Sequence, residues 1–480
     1  MPSGLKKEMG VLTLEKLDKL SWGSKISFGI GAFGKDAVYA IVSTFYMLYL
    51  TDYRGVAPAF VGTLFMVARL WDAFNDPFMG MIVDNTKTKW GKFRPWILIG
   101  TVVNAIVLAM LYLDNGLTGG AYKVWAAVFY ILWGMTYTIM DIPFWSMVPA
   151  LTDDDDERSQ ISAIPRIFAS LAWAVVGSGG LAIIGILGGD DKVKGFGLFA
   201  ACISVLFIIC SIIQCANTKE RVVVPKAEKT KFSDMGKILF KNDQVKVIIG
   251  IAFLFNVAYQ LSNSFALYYF KYVAEKTYEG DGSGVLYPLY AGLASVAQVA
   301  AMLILPTFSK KIGKKVAFFF ASFLPVIGFV FLMAMGYIAP TSKIAVGIAS
   351  CIVNAGIGFM LVFITVILSE VVDYGEWKLG TRNESVLFSM QTFVVKFAGA
   401  FSGFVSGIGL TAIGYVANTA PSAATAMGMR VIMFVIPGVL SALCYVIYRA
   451  GYKLKGEFYE QMKTELHERR AANAGTETAE

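Results

Sequence analysis

KERVVVPKAEKTKFSDMGKILFKND, residues 219–243, decides the architecture. It forms most of 217–244, the only long polar segment inside a chain otherwise built of long apolar runs. A helix needs roughly 20 mostly apolar residues to cross the hydrocarbon of a bilayer. Six such runs precede the segment, at 24–51, 56–83, 95–113, 123–149, 161–187 and 196–216. Six more follow, at 245–273, 285–308, 316–338, 344–369, 388–416 and 425–449. The expectation is an all-α polytopic membrane protein with twelve transmembrane helices in two six-helix bundles. Its predicted organisation is an N-terminal segment 1–22, a bundle 23–216, a central loop 217–244, a second bundle 245–452 and a tail 453–480.

Composition agrees. Hydrophobic residues make up 56% of the 480 and charged residues only 16%, whereas a soluble domain carries about 25% charged residues. The runs lack the ten-residue alternation of a membrane barrel. The first 22 residues, with Lys6, Lys7, Lys16 and Lys19, lack the apolar core and cleavage site of a signal peptide, so the run after them is expected to stay as span 1.

Basic residues orient the chain. Lys87, Lys89, Lys92 and Arg94 follow span 2, seven basic residues lie between Lys219 and Lys241, and Lys310, Lys311, Lys314 and Lys315 follow span 8. Residues 114–122 and 417–424 carry none, and 274–284 carry only Lys276. Both termini and the central loop are therefore expected in the cytoplasm, with the chain crossing a cell membrane many times. This bias accounts for the net charge of +8, so no nucleic-acid partner is implied and the expected surroundings are lipid.

The halves echo each other. KWGKFR at 89–94 enters span 3 and KKIGKK at 310–315 enters span 9, while ERSQ at 157–160 follows span 4 and TRNES at 381–385 follows span 10. Transporters build central sites between such repeats; the other reading is that basic loops recur because every cytoplasmic loop is basic. Cys202, Cys210, Cys215, Cys351 and Cys444 form no CxxC pair and read as small packing residues. There is no GxxxxGK[ST] loop, so ATP hydrolysis is not the energy source. The single histidine, His467, lies in the tail, which excludes Ser-His-Asp and HExxH chemistry. No enzyme and no cofactor are expected. A membrane sensor or receptor would be expected to carry a sizeable soluble signalling domain, whereas the longest polar segments are the central loop and the tail.

Charges inside spans cost about 2.5 kcal/mol or more each at the bilayer centre, so each needs a reason. Span 1 carries Lys35 and Asp36, span 2 Arg69, Asp72 and Asp76, span 4 Asp141, span 5 Arg166 and span 11 Lys396. Asp72 and Asp76 are one helical turn apart, with Asn75 between them. Two close carboxylates repel unless a cation or proton separates them, and oxygen ligands suit a hard cation. Arg69, three residues before Asp72, offers the other reading, an internal salt bridge. On span 4, Tyr137, Asp141 and Trp145 recur every four residues and share a face, placing a carboxylate for hydroxyls beside aromatic rings for the apolar face of a sugar. The acidic run at 153–157 reads as a solvated loop edge.

FGIGAFGKD (28–36), VGTLFMVARLWDAFNDP (61–77), KWGKFRPWILIGT (89–101), YILWGMTYTIMDIPFWS (130–146) and PRIFASLA (165–172) resemble the melibiose/sodium symporters. These belong to the glycoside-pentoside-hexuronide:cation symporter family of the major facilitator superfamily. The resemblance continues through FKNDQ (240–244), VDYGEWKL (372–379) and QTFVVK (391–396). It implies a major facilitator fold, alternating access and uptake of a galactoside such as melibiose with a cation, Na+ or else Li+ or H+. By matching position it implies that Asp72 and Asp76 hold the cation, with Asn75 and Thr138 nearby. Lys35, Asp36, Asp141, Trp145 and Arg166 would bind the sugar with Tyr137 close by, and Thr392 and Lys396 would complete the cavity. Relatives that carry acidic sugars tend to lack the acid at 141, so its presence implies a neutral sugar. Leu361 stands where melibiose symporters have tryptophan, which leaves another glycoside or pentoside, such as a xyloside or glucuronide, as the alternative.

Overall fold

The computed structural model describes residues 19–86, 88–152, 155–221, 241–277, 284–380 and 384–477. Most of the central loop, the N-terminal 18 residues, Asp153, Asp154 and residues 381–383 lie outside them. The described residues form helices joined by short turns. The first half holds α1 (Trp22–Leu48), α2 (Pro58–Asp84), α3 (Arg94–Leu111), α4 (Gly119–Ser146), α5 (Asp155–Gly188) and α6 (Lys192–Asn217). The second holds α7 (Asp243–Tyr268), α8 (Leu286–Ile312), α9 (Lys314–Ile338), α10 (Lys343–Leu379), α11 (Glu384–Ala412) and α12 (Ala423–Gly451). A tail helix, α13 (Gly456–Glu477), follows.

Ten helices among the described residues are long and apolar enough to cross a membrane. Within the two halves the helices that fall short are α1 and α2, because Lys35 and Asp36 interrupt one and Arg69, Asp72 and Asp76 the other. Composition thus marks the helices that carry polar chemistry. Where the chain enters a helix, short polar side chains take up free amides: Ser21 accepts from Ser24, Asp191 from Lys194, Asn242 from Gln244 and Ser342 from Ala345. Gly380, at φ 72°, closes α10 in the left-handed conformation that suits glycine.

The halves repeat. α1 packs on α5 and α6, and α7 packs on α11 and α12 in the same way. α1 ends in a π-helical turn, Tyr49–Tyr53, and α7 ends in another, Tyr269–Ala274. The seam between halves pairs α2 with α11 and α5 with α8, so the second helix of each half meets the fifth of the other. At the first pair the backbones touch: a Cβ on Gly62 would lie 2.9 Å from the Gly407 Cα, and one on Gly407 would lie 2.4 Å from the Pro58 oxygen.

A buried polar cluster seals the same end of the seam, on the face away from the central segment. Asp52 is fully buried, and its Oδ2 takes the Lys271 ammonium at 2.5 Å and the Tyr272 hydroxyl at 2.6 Å. Tyr415 donates to its other oxygen. Asn418 Nδ2 donates to the Asp52 backbone oxygen at 2.6 Å, and Thr51 meets the Tyr268 hydroxyl at 3.1 Å.

Of the acidic run at 153–157, Glu157 departs from its expected place on a solvated edge, whereas Asp153 and Asp154 lie outside the described residues. Glu157 is buried in the first turns of α5, ahead of the membrane-spanning part that begins at Ala163. It accepts from the Leu20 amide at 3.0 Å and the Thr152 hydroxyl at 3.1 Å and pairs with Lys25 at 3.0 Å. Burial pushes its carboxyl up, but Lys25 and these donors outweigh burial and hold it below the usual range. All five cysteines are free; Cys210, Cys215 and Cys444 pack in the interior as expected, whereas Cys202 and Cys351 are exposed on helix surfaces.

Candidate functional site

A cavity of about 400 Å³ lies at mid-depth between the halves. Helical spacing aims its walls. Lys35, Tyr39 and Ser43 leave α1 at four-residue steps, and Asp72 and Asp76 leave α2 one turn apart. Tyr130, Trp133, Tyr137 and Asp141 form the matching stripe of α4, while α7 supplies Gln260 and Ser264 and α11 supplies Lys396, Gly399, Ser402 and Gly403.

Two charge clusters share this space. In the first, the buried Lys35 ammonium lies 2.9 Å from Asp141 Oδ1, 3.1 Å from Asp36 Oδ2 and 3.5 Å from the Tyr137 hydroxyl. It stands 5.2 Å from the ring centres of both Phe144 and Trp145, within cation–π range. Asp141 Oδ1 is within ion-pair distance of Lys35 but is not aligned for a hydrogen bond, and its side chain is 31% exposed to the cavity. Oδ1 itself is buried against Lys35, so it is the exposed remainder of the carboxylate that can accept hydroxyls from the cavity.

In the second cluster Arg69 reaches Asp72 Oδ2 at 3.3 Å and lies 5.3 Å from the Tyr39 ring centre. Asp72 Oδ1 is buried without a hydrogen-bond partner. It abuts Gly134, where a Cβ would come within 2.6 Å, so only glycine lets α4 pass this carboxylate. The Thr138 hydroxyl lies 3.0 Å from Asp76 Oδ1 and 3.2 Å from the Gly134 oxygen, and its one proton serves one of them at a time. Lys396 crosses from α11 to pair with Asp76 Oδ2, so each carboxylate of the α2 pair has a basic partner and an ion-pair network is part of the site. Asp36, Asp72, Asp76 and Asp141 face Lys35, Arg69 and Lys396, four acids against three bases.

Nine of the twelve binding residues expected from the sequence meet in this cavity, namely Lys35, Asp36, Asp72, Asp76, Tyr137, Thr138, Asp141, Trp145 and Lys396, and Arg69 joins them. Asn75, Arg166 and Thr392 are not among its lining residues. Asn75 is half-buried and turned about 100° round α2 from Asp76, and Arg166 and Thr392 are exposed. Leu361, set against the expected tryptophan, packs at the margin of the apolar core. Sequence reasoning passed over Tyr39, Gln260 and Ser264 as site residues. Tyr39 was findable four residues after Lys35, whereas Gln260 and Ser264 carry no charge to stand out in a span.

The family described as MFS/sugar transport protein matches residues 27–456. The chain belongs to that family. It is similar to an isoprimeverose transporter of Lactiplantibacillus pentosus, 32% identical over 434 residues that cover 89% of this chain and 88% of the relative. It is also similar to a lactose permease of Lactobacillus helveticus, 28% identical over 92% of this chain and 71% of the relative. A solved bacterial homologue of the human lysosomal transporter Spinster, inward-facing and unoccupied, shares the fold with a TM-score of 0.65. Its sequence is 12% identical over 89% of this chain and 97% of that one. The chain is thus a multi-pass membrane protein of the major facilitator fold, and its family and neighbours are transporters rather than enzymes.

Proposed function

We propose that the chain is a symporter that couples inward movement of one monovalent cation, Na+ or else Li+ or H+, to uptake of a neutral glycoside by alternating access. The observation that carries this reading is the unpartnered, buried Asp72 Oδ1 in a cavity whose acids outnumber its bases by one. A buried carboxylate oxygen without a partner is costly, and one monovalent cation relieves it while balancing the cavity. A neutral solute preserves that balance; an acidic one upsets it. Asp72, Asp76 and Thr138 hold the cation, with Asn75 beside them. Lys35, Asp36, Tyr137, Asp141, Trp145 and Lys396 bind the sugar, and Arg166 and Thr392 come to it as the halves move. The relatives' names, isoprimeverose and lactose, point to disaccharides. Melibiose or a related galactoside is the first candidate.

Counterflow of labelled glycosides in proteoliposomes tests transport itself, because only a carrier exchanges solute across the bilayer. Melibiose, lactose and isoprimeverose are to be compared with and without Na+, with Li+, and over a range of pH. Exchange of none of them overturns the reading.

Within the sugar site, Asp141→Asn removes a charged acceptor worth about 1.5–3 kcal/mol, roughly tenfold or more in affinity. Trp145→Ala removes a ring face that the sugar stacks on. Both variants are expected to bind glycoside more weakly by calorimetry, and unchanged affinity in both would refute the assignment.

The charge bias places the central segment in the cytoplasm. A single cysteine at Lys229 in a cysteine-free background is expected to resist an impermeant thiol reagent added to whole cells. Labelling from outside reverses the orientation.

A further inference from the structure

We infer that Gln260 on α7 is a glycoside-binding residue of the second half, which reads the hydroxyls of the second ring and so sets a preference for disaccharides; this rests on the glycoside reading above. The charged groups of the site, Lys396 apart, come from the first half. The facing wall from α7 and α11 is built differently, from amide, hydroxyl and bare backbone. Gln260 lines the cavity there. Among the described residues its backbone oxygen accepts from the Ser264 hydroxyl at 2.9 Å, and its side-chain amide has no protein partner.

The position of that amide is constrained. A Cβ on Gly399 would lie 3.0 Å from Gln260 Nε2 and 3.1 Å from Oε1, so the amide rests across α11 where that helix has no side chain. One turn on, a Cβ on Gly403 would approach the Phe65 Cβ at 3.2 Å. Gly399 therefore leaves room for the Gln260 amide, which sits there with two donors and an acceptor unspent, while Phe65 fills the space beside Gly403. Polar groups within a mostly buried site are normally satisfied, and a pair of neighbouring sugar hydroxyls matches a carboxamide by accepting and donating at once. Because the amide is neutral, it adds this recognition without disturbing the charge balance on which a neutral solute depends. A first ring held by Asp141 and Trp145 leaves the facing wall to whatever is attached to it.

The test is calorimetric titration of melibiose, lactose and the methyl galactosides into purified protein in Na+, for wild type, Gln260→Met, Gln260→Ala, Gly399→Ala and Asp141→Asn. Gln260→Met keeps the length of the side chain and removes the amide, and unchanged melting temperature shows that the fold is kept. Loss of roughly tenfold in affinity for a disaccharide, with about twofold or less for the monosaccharide glycosides, supports the inference. Gly399→Ala, which displaces the amide without removing it, is expected to follow the same pattern. If the ratio of disaccharide to monosaccharide affinity stays at the wild-type value in both Gln260 variants while Asp141→Asn still weakens binding, Gln260 is only a solvated wall residue and the inference falls alone. If the wild type binds none of these solutes, or Asp141→Asn binds them all as wild type does, the glycoside site falls and this inference with it.

Discussion

Asp52→Ala is expected to unlatch the face of the protein opposite the central segment. Asp52 and Lys271 are a buried pair from different halves, and Tyr272, Tyr415 and Asn418 of the second half all bond to Asp52. Removing one partner of a buried pair leaves the other charge uncompensated, at a cost of about 3–5 kcal/mol. The cost falls on the closed arrangement, because a parted seam lets water reach Lys271. A shift of about 5.5 kcal/mol carries a two-state equilibrium from 1:99 to 99:1, so this change is large enough to redistribute the halves. A thiol at Ser43, which lines the cavity, reports it in a cysteine-free background. Its reaction with impermeant reagent added from that face is expected to speed up in Asp52→Ala and in Lys271→Ala. The double variant is expected to recover part of the closure, since neither charge is then left alone. Wild-type reaction rates in both single variants would move the seal to the glycine contact between α2 and α11.

The fold was legible because apolar run length is a direct consequence of the bilayer, and charges do not hide it: α1 and α2 are helices despite Lys35, Asp36, Arg69, Asp72 and Asp76. The centre of the site was legible for the complementary reason. A charge in a span is expensive, so Asp72, Asp76, Asp141 and Lys396 announced themselves, and helical spacing gave their faces. The latch was not legible. Asp52 sits one residue beyond the predicted end of span 1, where an acid is unremarked, and its partner Lys271 lies far along the chain in the other half. Glu157 was misplaced by the same logic, because an acidic run near a helix end looks solvated until Leu20, Lys25 and Thr152 are seen to close on it. Gln260 escaped because a neutral amide in a span is cheap enough to pass unnoticed.

Asp72→Asn is expected to abolish the enhancement of sugar binding by Na+ and to leave weak, cation-independent binding in place. If cation and sugar bind one protein, each must tighten the other by the same factor, and a coupling free energy of about 1–3 kcal/mol corresponds to roughly 5- to 150-fold. The physical route is α4. Thr138 meets Asp76 at 3.0 Å, and Asp141, less than a turn later, meets Lys35 at 2.9 Å. A cation between Asp72 and Asp76 relieves their repulsion and competes with Lys396 for Asp76, which frees the ammonium that now ties α11 to α2. On the proposed reading, cation binding would thereby fix the packing of α2 on α4, set Asp141, and loosen the second half to close on the solute. Asp72→Asn keeps the shape and one oxygen but loses the charge that draws the cation. Asp141→Asn is the converse, sparing Na+ binding while weakening sugar. The measurement is calorimetric titration of glycoside at zero and saturating Na+ for wild type and both variants. Full Na+ enhancement in the Asp72 variant would place the cation elsewhere and leave the Arg69–Asp72 pair as a structural salt bridge.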